Sequence, residues 1–136
     1  MQRREFLTHT SGLLSLAALA QLVESCSKNA VSPKPAANFT IDLTTTANSA
    51  LKTVGGFILS QGIYIIRTGQ STYIGLSSIC THAGCQVNYS SSSKEFSCPC
   101  HGGLYDSTGK VIGGPPPSPL AQYQVVLSGT TLTVTG

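Results

Sequence analysis

Four of the five cysteines and two of the three histidines of this 136-residue chain fall between Cys80 and Asp106. They form two clusters, Cys80-Thr81-His82-Ala83-Gly84-Cys85 and Cys98-Pro99-Cys100-His101-Gly102-Gly103. Within them stand a Cys-x-His pair, Cys80 and His82, and a Cys-x-x-His pair, Cys98 and His101. Two thiolates and two neutral imidazoles suit a soft, thiophilic metal centre. The same set of two cysteines and two histidines also suits zinc, so the donors alone leave the metal open. A site drawing on both pairs demands a fold that brings two loops to one point.

The sequence around the clusters reads as short strands separated by turn residues. Phe39-Thr40-Ile41-Asp42-Leu43 alternates apolar and polar residues. Residues 56–59, 63–66 and 72–76 are apolar or β-branched runs bounded by Gly and Ser. Residues 86–89 and 95–98 flank a polar loop, Ser90 to Lys94, which reads as a hairpin. Residues 122–127 and 131–135 form another hairpin across Ser128-Gly129-Thr130. No run of helical period follows residue 25, and there is no internal repeat. The expected fold is all-β. On this reading both clusters sit in loops at one end of a small sheet, the first after a strand ending at Ile79, the second after the 86–98 hairpin.

The two clusters resemble the boxes of the Rieske iron–sulfur proteins, C-T-H-x-G-C and C-P-C-H-G-S. In that family two cysteines hold one iron of a [2Fe–2S] cluster and two histidines the other, which raises the potential well above that of all-cysteine clusters. The resemblance implies Cys80 and Cys98 on one iron, His82 and His101 on the other, and a disulfide between Cys85 and Cys100 as in the quinol-oxidising branch. It also implies a fold of small stacked antiparallel sheets, in which a cluster-binding part at about 79–119 is inserted into a base domain. Tyr105 matches the family tyrosine whose hydroxyl donates to a ligand sulfur. Gly103 stands where the family has a serine that donates to a bridging sulfide. One of two tuning donors is thus missing. The expected potential is upper-middle in a range of about −150 to +300 mV, and serine at 103 is expected to raise it. Residues 113–120, with Pro115, Pro116, Pro117 and Pro119, resemble the Gly-Pro-x-Pro loop that covers one side of the cluster. A stiff cover limits water access and helps set the potential.

The start of the chain, Arg3-Arg4-Glu5-Phe6-Leu7, resembles a twin-arginine export signal. An apolar stretch over residues 13–23 follows, shorter than the roughly 20 residues that span a bilayer. Val23-Glu24-Ser25-Cys26 resembles a lipoprotein cleavage site, with Glu24 where a small or apolar residue is usual. The expected organisation is a signal peptide over 1–25, an extended tether over 26–38 and a Rieske domain over 39–136. Cys26, the odd cysteine beside two ligands and one disulfide, is the expected lipidation site. His9 leaves with the signal. A disulfide persists in an export compartment, which agrees with this route.

Charged residues are only 10% of the chain and the formal net charge is +3, carried without any basic run. That excludes nucleic-acid binding. The expected function is one-electron transfer in an exported, membrane-tethered protein of the periplasm or outer membrane face. The partner would be quinol or a redox protein of the cytochrome c or cytochrome b type. Alternatives are the Rieske subunit of a quinol–cytochrome c oxidoreductase and the small subunit of an exported molybdenum oxidase. A ligand histidine whose second ring nitrogen faces solvent is expected to couple proton uptake to reduction, giving a midpoint that falls with alkaline pH.

Overall fold

The computed structural model describes residues 34–136. The expected signal over 1–25, with His9, and the lipidation site Cys26 lie outside the described residues. The strands are β1 (Asn38–Asp42), β2 (Phe57–Ser60), β3 (Ile63–Arg67), β4 (Tyr73–Ser77), β5 (Asn88–Ser90), β6 (Glu95–Ser97), β7 (Leu104–Asp106), β8 (Val111–Gly113), β9 (Gln122–Ser128) and β10 (Thr131–Thr135). They make two antiparallel sheets, one of six strands in the order β1-β10-β9-β4-β3-β2 and one of four in the order β5-β6-β7-β8. The four-stranded sheet is inserted in sequence between β4 and β9, so the all-β expectation and its base-plus-insertion arrangement both hold.

Strand β3 explains why the two sheets stack. Successive strand residues face opposite sides of a sheet. Ile63 and Ile65 therefore join Ile41, Leu51, Tyr123, Leu132 and Val134 in one core. Tyr64 and Ile66 face the other way, into a second core with Leu76, Val87, Phe96, Tyr105 and Leu120. A strand buried on both faces reads as an unbroken apolar run, as residues 63–66 do. Burial of each such side chain contributes about 1.5–3 kcal/mol.

The second core also contains Cys80 and Cys98. The four strands of the smaller sheet have only three residues each, at the short end of the usual range. Phe96 and Tyr105 are fully buried and anchor it to the base. The Tyr64 ring meets Phe96 edge-on at 5.3 Å between centroids, and its hydroxyl donates to the Val87 carbonyl at 3.0 Å.

Three features depart from the sequence reading. Thr46–Lys52 form a 3-10 helix although the sequence shows no helical period there. Only Leu51 of this element is buried, so no repeating apolar face was needed. Its last carbonyls, of Leu51 and Lys52, accept from the Arg67 guanidinium. Strands β7 and β8, both absent from the sequence reading, pair with each other as Leu104↔Gly113 and Tyr105↔Val111 across a register shift. Finally, residues 34–38, expected as tether, lie against the base sheet. Ala37 exchanges two backbone bonds with Gly136, the Tyr123 hydroxyl donates to Pro35 O at 2.9 Å, and Lys34 Nζ sits 4.6 Å from the centre of the Tyr123 ring.

Candidate metal centre

The two Cys/His clusters are loops closed by the same pair of backbone bonds. In the first, Cys80 N donates to Cys85 O at 2.7 Å and Gly84 N to Cys80 O at 3.0 Å. In the second, Cys98 N donates to Gly103 O at 2.7 Å and Gly102 N to Cys98 O at 3.1 Å. Gly84 and Gly102 both hold φ of +74°, a region that costs other residues free energy. A glycine four places after each ligand-type cysteine is the sequence signal of this equivalence, and the sequence reading passed over it. The first loop is further pinned by an antiparallel bridge between Ile79 and Gln86.

Folding brings all six residues of the two clusters together. Cys85 and Cys100 form a disulfide, with Cα atoms 6.5 Å apart. Cys80 and Cys98 are free thiols, 1% and 3% exposed. The sulfurs of Cys85, Cys98 and Cys100 lie within 4.8 Å of one another. Two of these three are bonded to each other, so Cys98 alone among them offers a thiolate. His82 and His101 are exposed, and their rings meet perpendicularly at 4.7 Å between centroids. The donor set is therefore layered, with thiols inside and imidazoles outside.

Tyr105 lies beneath the first loop. Its hydroxyl is 3.3 Å from Cys80 Sγ, accepts from Thr81 N at 3.1 Å, and is 3.1 Å from Thr81 Oγ1. Burial pushes the Cys80 thiol up, but hydrogen bonds from Tyr105, from the backbone of His82 and Ala83, and with Cys98 outweigh it and hold Cys80 below the ordinary thiol value. Burial, then the bond to Cys80, pushes the Tyr105 hydroxyl above the ordinary phenol value. The phenol keeps its proton and can donate it to the sulfur.

The proline loop is fastened to both ligand loops. Thr81 Oγ1 donates to Ser118 O at 2.6 Å. Gly114 lies flat on the second loop, for a Cβ there would come 2.6 Å from Gly102 O and 2.8 Å from Gly103 Cα. A Cβ at Gly103 would stand 2.6 Å from Pro116 Cγ and 3.1 Å from Pro116 Cδ. A serine at 103 would have to displace this ring before its hydroxyl could act as a donor, since the ring occupies the place its Cβ needs. Thr81, Gly114, Pro116 and Ser118 carry these contacts, and none had been singled out individually from the sequence.

Two free buried thiols, two exposed imidazoles beside them and hydrogen-bond donors aimed at one sulfur fit a cluster with a cysteine-bound inner iron and a histidine-bound outer iron. Comparison with known proteins points to the same kind of cofactor. The family model described as Rieske [2Fe-2S] domain matches residues 42–124. The cytochrome b6-f complex iron-sulfur subunit of Trichodesmium erythraeum (strain IMS101) is 39% identical over 90 residues, which cover 65% of this chain and 50% of that protein. The same subunit of Synechococcus elongatus is 46% identical over 77 residues, covering 52% and 43%. The chain thus spans about half the length of the curated relatives it matches. Among solved structures, the cyanobacterial plasma membrane Rieske protein PetC3 from Synechocystis PCC 6803 superposes with a TM-score of 0.56 at 31% identity, covering 71% of this chain and 99% of that one. A chain of a hyperthermophilic respiratory Complex III gives 0.53 at 31% identity, covering 68% and 71%.

Proposed function

The chain belongs to the Rieske [2Fe-2S] domain family, and on that premise we propose that it transfers single electrons through one cluster held by Cys80 and Cys98 on one iron and by His82 and His101 on the other. When bound, such a cluster supplies a reversible one-electron couple. The observation that carries the reading is the layering of donors, buried free thiols behind exposed imidazoles.

The chain's own residues do the rest. Tyr105 can offer its proton to Cys80 Sγ, a hydrogen bond to a ligand sulfur that would help set the potential of a bound cluster. The Cys85–Cys100 disulfide ties the two loops so that their donors cannot splay. The proline loop covers the second ligand loop from one side through Gly114 and Pro116. The exposed histidines leave the outer edge of the site open to a partner.

Protein purified without oxygen from iron-supplied cells should be coloured, carry iron and acid-labile sulfide in equal amounts, and show the paramagnetic signature of a mixed cysteine–histidine cluster once reduced. Cys98→Ser and His101→Ala should each abolish that signature. A colourless protein that binds zinc instead would refute the reading.

The finer proposal concerns location and partners. Export by the twin-arginine route and lipid on Cys26 rest on the sequence resemblances over residues 1–26. No helix among the described residues is long and apolar enough to cross a membrane. Acyl labelling that disappears in Cys26→Ser tests the anchor. A second reading, the iron–sulfur subunit of a quinol-oxidising cytochrome complex, is favoured by the names of the curated relatives and by the disulfide. Its partners would be quinol and a cytochrome. Copurification of a cytochrome b from detergent-solubilised membranes separates it from a free-standing carrier.

A further inference from the structure

We propose that Pro116 is a positioning residue for the cluster site and that it forms a matched pair with Gly103: the proline ring fills the side-chain volume that position 103 lacks. The inference rests on the cluster reading above and goes beyond it, because it assigns a role to a residue outside the donor set and the hydrogen bonds to it.

The four prolines of residues 115–119 are not equivalent. Pro115, Pro117 and Pro119 are exposed, and Pro116 alone is buried. Its Cγ and Cδ stand 2.6 and 3.1 Å from where a Cβ on Gly103 would be, and that same point is 3.4 Å from Cys98 Cβ. The side-chain site that the ring fills therefore borders the inner ligand of the second loop. Gly103 is itself buried, and its carbonyl closes the loop by accepting from Cys98 N.

The equivalence of the two loops sharpens the point. Position 103 occupies in the second loop the place that Cys85 occupies in the first, since both supply the closing carbonyl. At the first of these a side chain is present and forms the disulfide. At the second, a neighbouring ring replaces it. Two consequences follow. Carbon and hydrogen, rather than a hydroxyl or water, face the backbone next to Cys98. Any side chain introduced at 103 must push Pro116, and with it the loop that Thr81 holds through Ser118, away from the site. Interiors packed at crystal-like density do not absorb a contact of 2.6 Å without such a shift.

The experiment is a double-substitution cycle on the cluster-loaded chain with Gly103→Ser, Pro116→Ala and the two combined. Thermal unfolding, the midpoint potential and the rate of iron loss to a chelator are read for all four proteins. With Pro116 present, Gly103→Ser should lower the melting temperature and the cluster content without raising the midpoint. In the Pro116→Ala background the same change should be tolerated and should shift the midpoint upward. Pro116→Ala alone should keep the cluster spectrum but release iron several-fold faster. Equal effects of Gly103→Ser in both backgrounds, or an unchanged iron-release rate in Pro116→Ala, would overturn the pairing. A wild-type chain that takes up no cluster overturns the tuning role together with the reading it rests on. Loss of coupling in a chain that does carry one overturns the proposal alone.

Discussion

Replacing Tyr105 by Phe removes one oxygen from a fully buried position and leaves the ring in the core. The hydroxyl has three neighbours, Cys80 Sγ at 3.3 Å, Thr81 N at 3.1 Å and Thr81 Oγ1 at 3.1 Å. Thr81 N–H can only donate to it. Thr81 Oγ1 has its single proton engaged on Ser118 O at 2.6 Å, so toward Tyr105 it can only accept. The phenolic proton therefore has two possible acceptors, and an anionic sulfur is the stronger one. A hydrogen bond to a charged group is worth about 1.5–3 kcal/mol. Both redox states of the centre retain the bond, so only the difference in its strength reaches the potential. Taking that difference as about 1 kcal/mol, Tyr105→Phe should lower the midpoint by about 40 mV, since tenfold in a one-electron equilibrium is 59 mV. The sign follows from charge: reduction makes the sulfur more negative, and a donor stabilises that state more. Loss of the partner of Thr81 N–H adds a cost to folding of about 1–3 kcal/mol, at the lower end because water can reach a half-buried group. Spectroelectrochemical titration of wild type and variant measures the first effect and denaturant unfolding the second. A midpoint that stays or rises while stability falls would show that the hydroxyl serves Thr81 alone, and the tuning argument would be wrong.

Removing the disulfide as Cys85→Ser/Cys100→Ser opens a closure spanning 15 residues. Chain-entropy reasoning puts the loss at about 3 kcal/mol, to be read from urea unfolding, and cluster release should accelerate in parallel. Arg67→Ala removes donors from the carbonyls of Leu51, Lys52, Gly69 and Gln70. It should cost about 2 kcal/mol of stability while leaving the midpoint unchanged, because these contacts belong to the base sheet; a moved midpoint would contradict the separation of base and site. Asp106 Oδ1 accepts from Thr108 N, Thr108 Oγ1 and Lys110 N. The side-chain bond from Thr108 is the largest cause holding this carboxyl below its ordinary value; burial, the next largest, opposes it, and the backbone bonds from Thr108 and Lys110 with the Lys110 charge tip the balance downward. A lowered folded value stabilises above the unfolded value and is lost as pH falls through the folded one. Wild type should therefore lose more stability than Asp106→Asn across the acid range, and equal acid slopes in the two proteins would refute the assignment.

What the sequence made legible was local or carried by motif. The hairpin around residues 90–94 and that around 128–130 follow from alternation and turn residues, and both are present as β5–β6 and β9–β10. The run at 63–66 reads as a strand from its composition, and its burial on both faces is a finding of the structure. The 3-10 helix at Thr46–Lys52 left no periodic trace because it buries one residue. The docking of residues 34–38 depends on Tyr123 and Gly136, far along the chain, and no local pattern encodes it. The same holds at the site. The ligand-type residues and the disulfide pair stood out by spacing and resemblance, whereas the proline ring against Gly103 joins two loops whose contact exists only once β7 and β8 have paired.

The layering of the donors has a structural cause that bears on how far the site can be altered. Cys80 and Cys98 lie in the same core as Phe96, Tyr105 and Tyr64, so the inner half of the site is part of what holds the small sheet on the base. The outer half, His82 and His101, belongs to loop backbone held by Gly84 and Gly102, and both side chains are exposed. Changes at the two halves should therefore fail differently. A polar replacement of either cysteine leaves a buried group without its partner and weakens the fold as well as the site. A replacement of either histidine removes an exposed side chain and should spare the fold. Measured by unfolding of the cluster-free chains, Cys98→Ser should be the less stable by about 1–3 kcal/mol, and His101→Ala should lie within about 0.5 kcal/mol of wild type. Equal stability of the two variants would mean that the thiols contribute nothing to the core in which they sit.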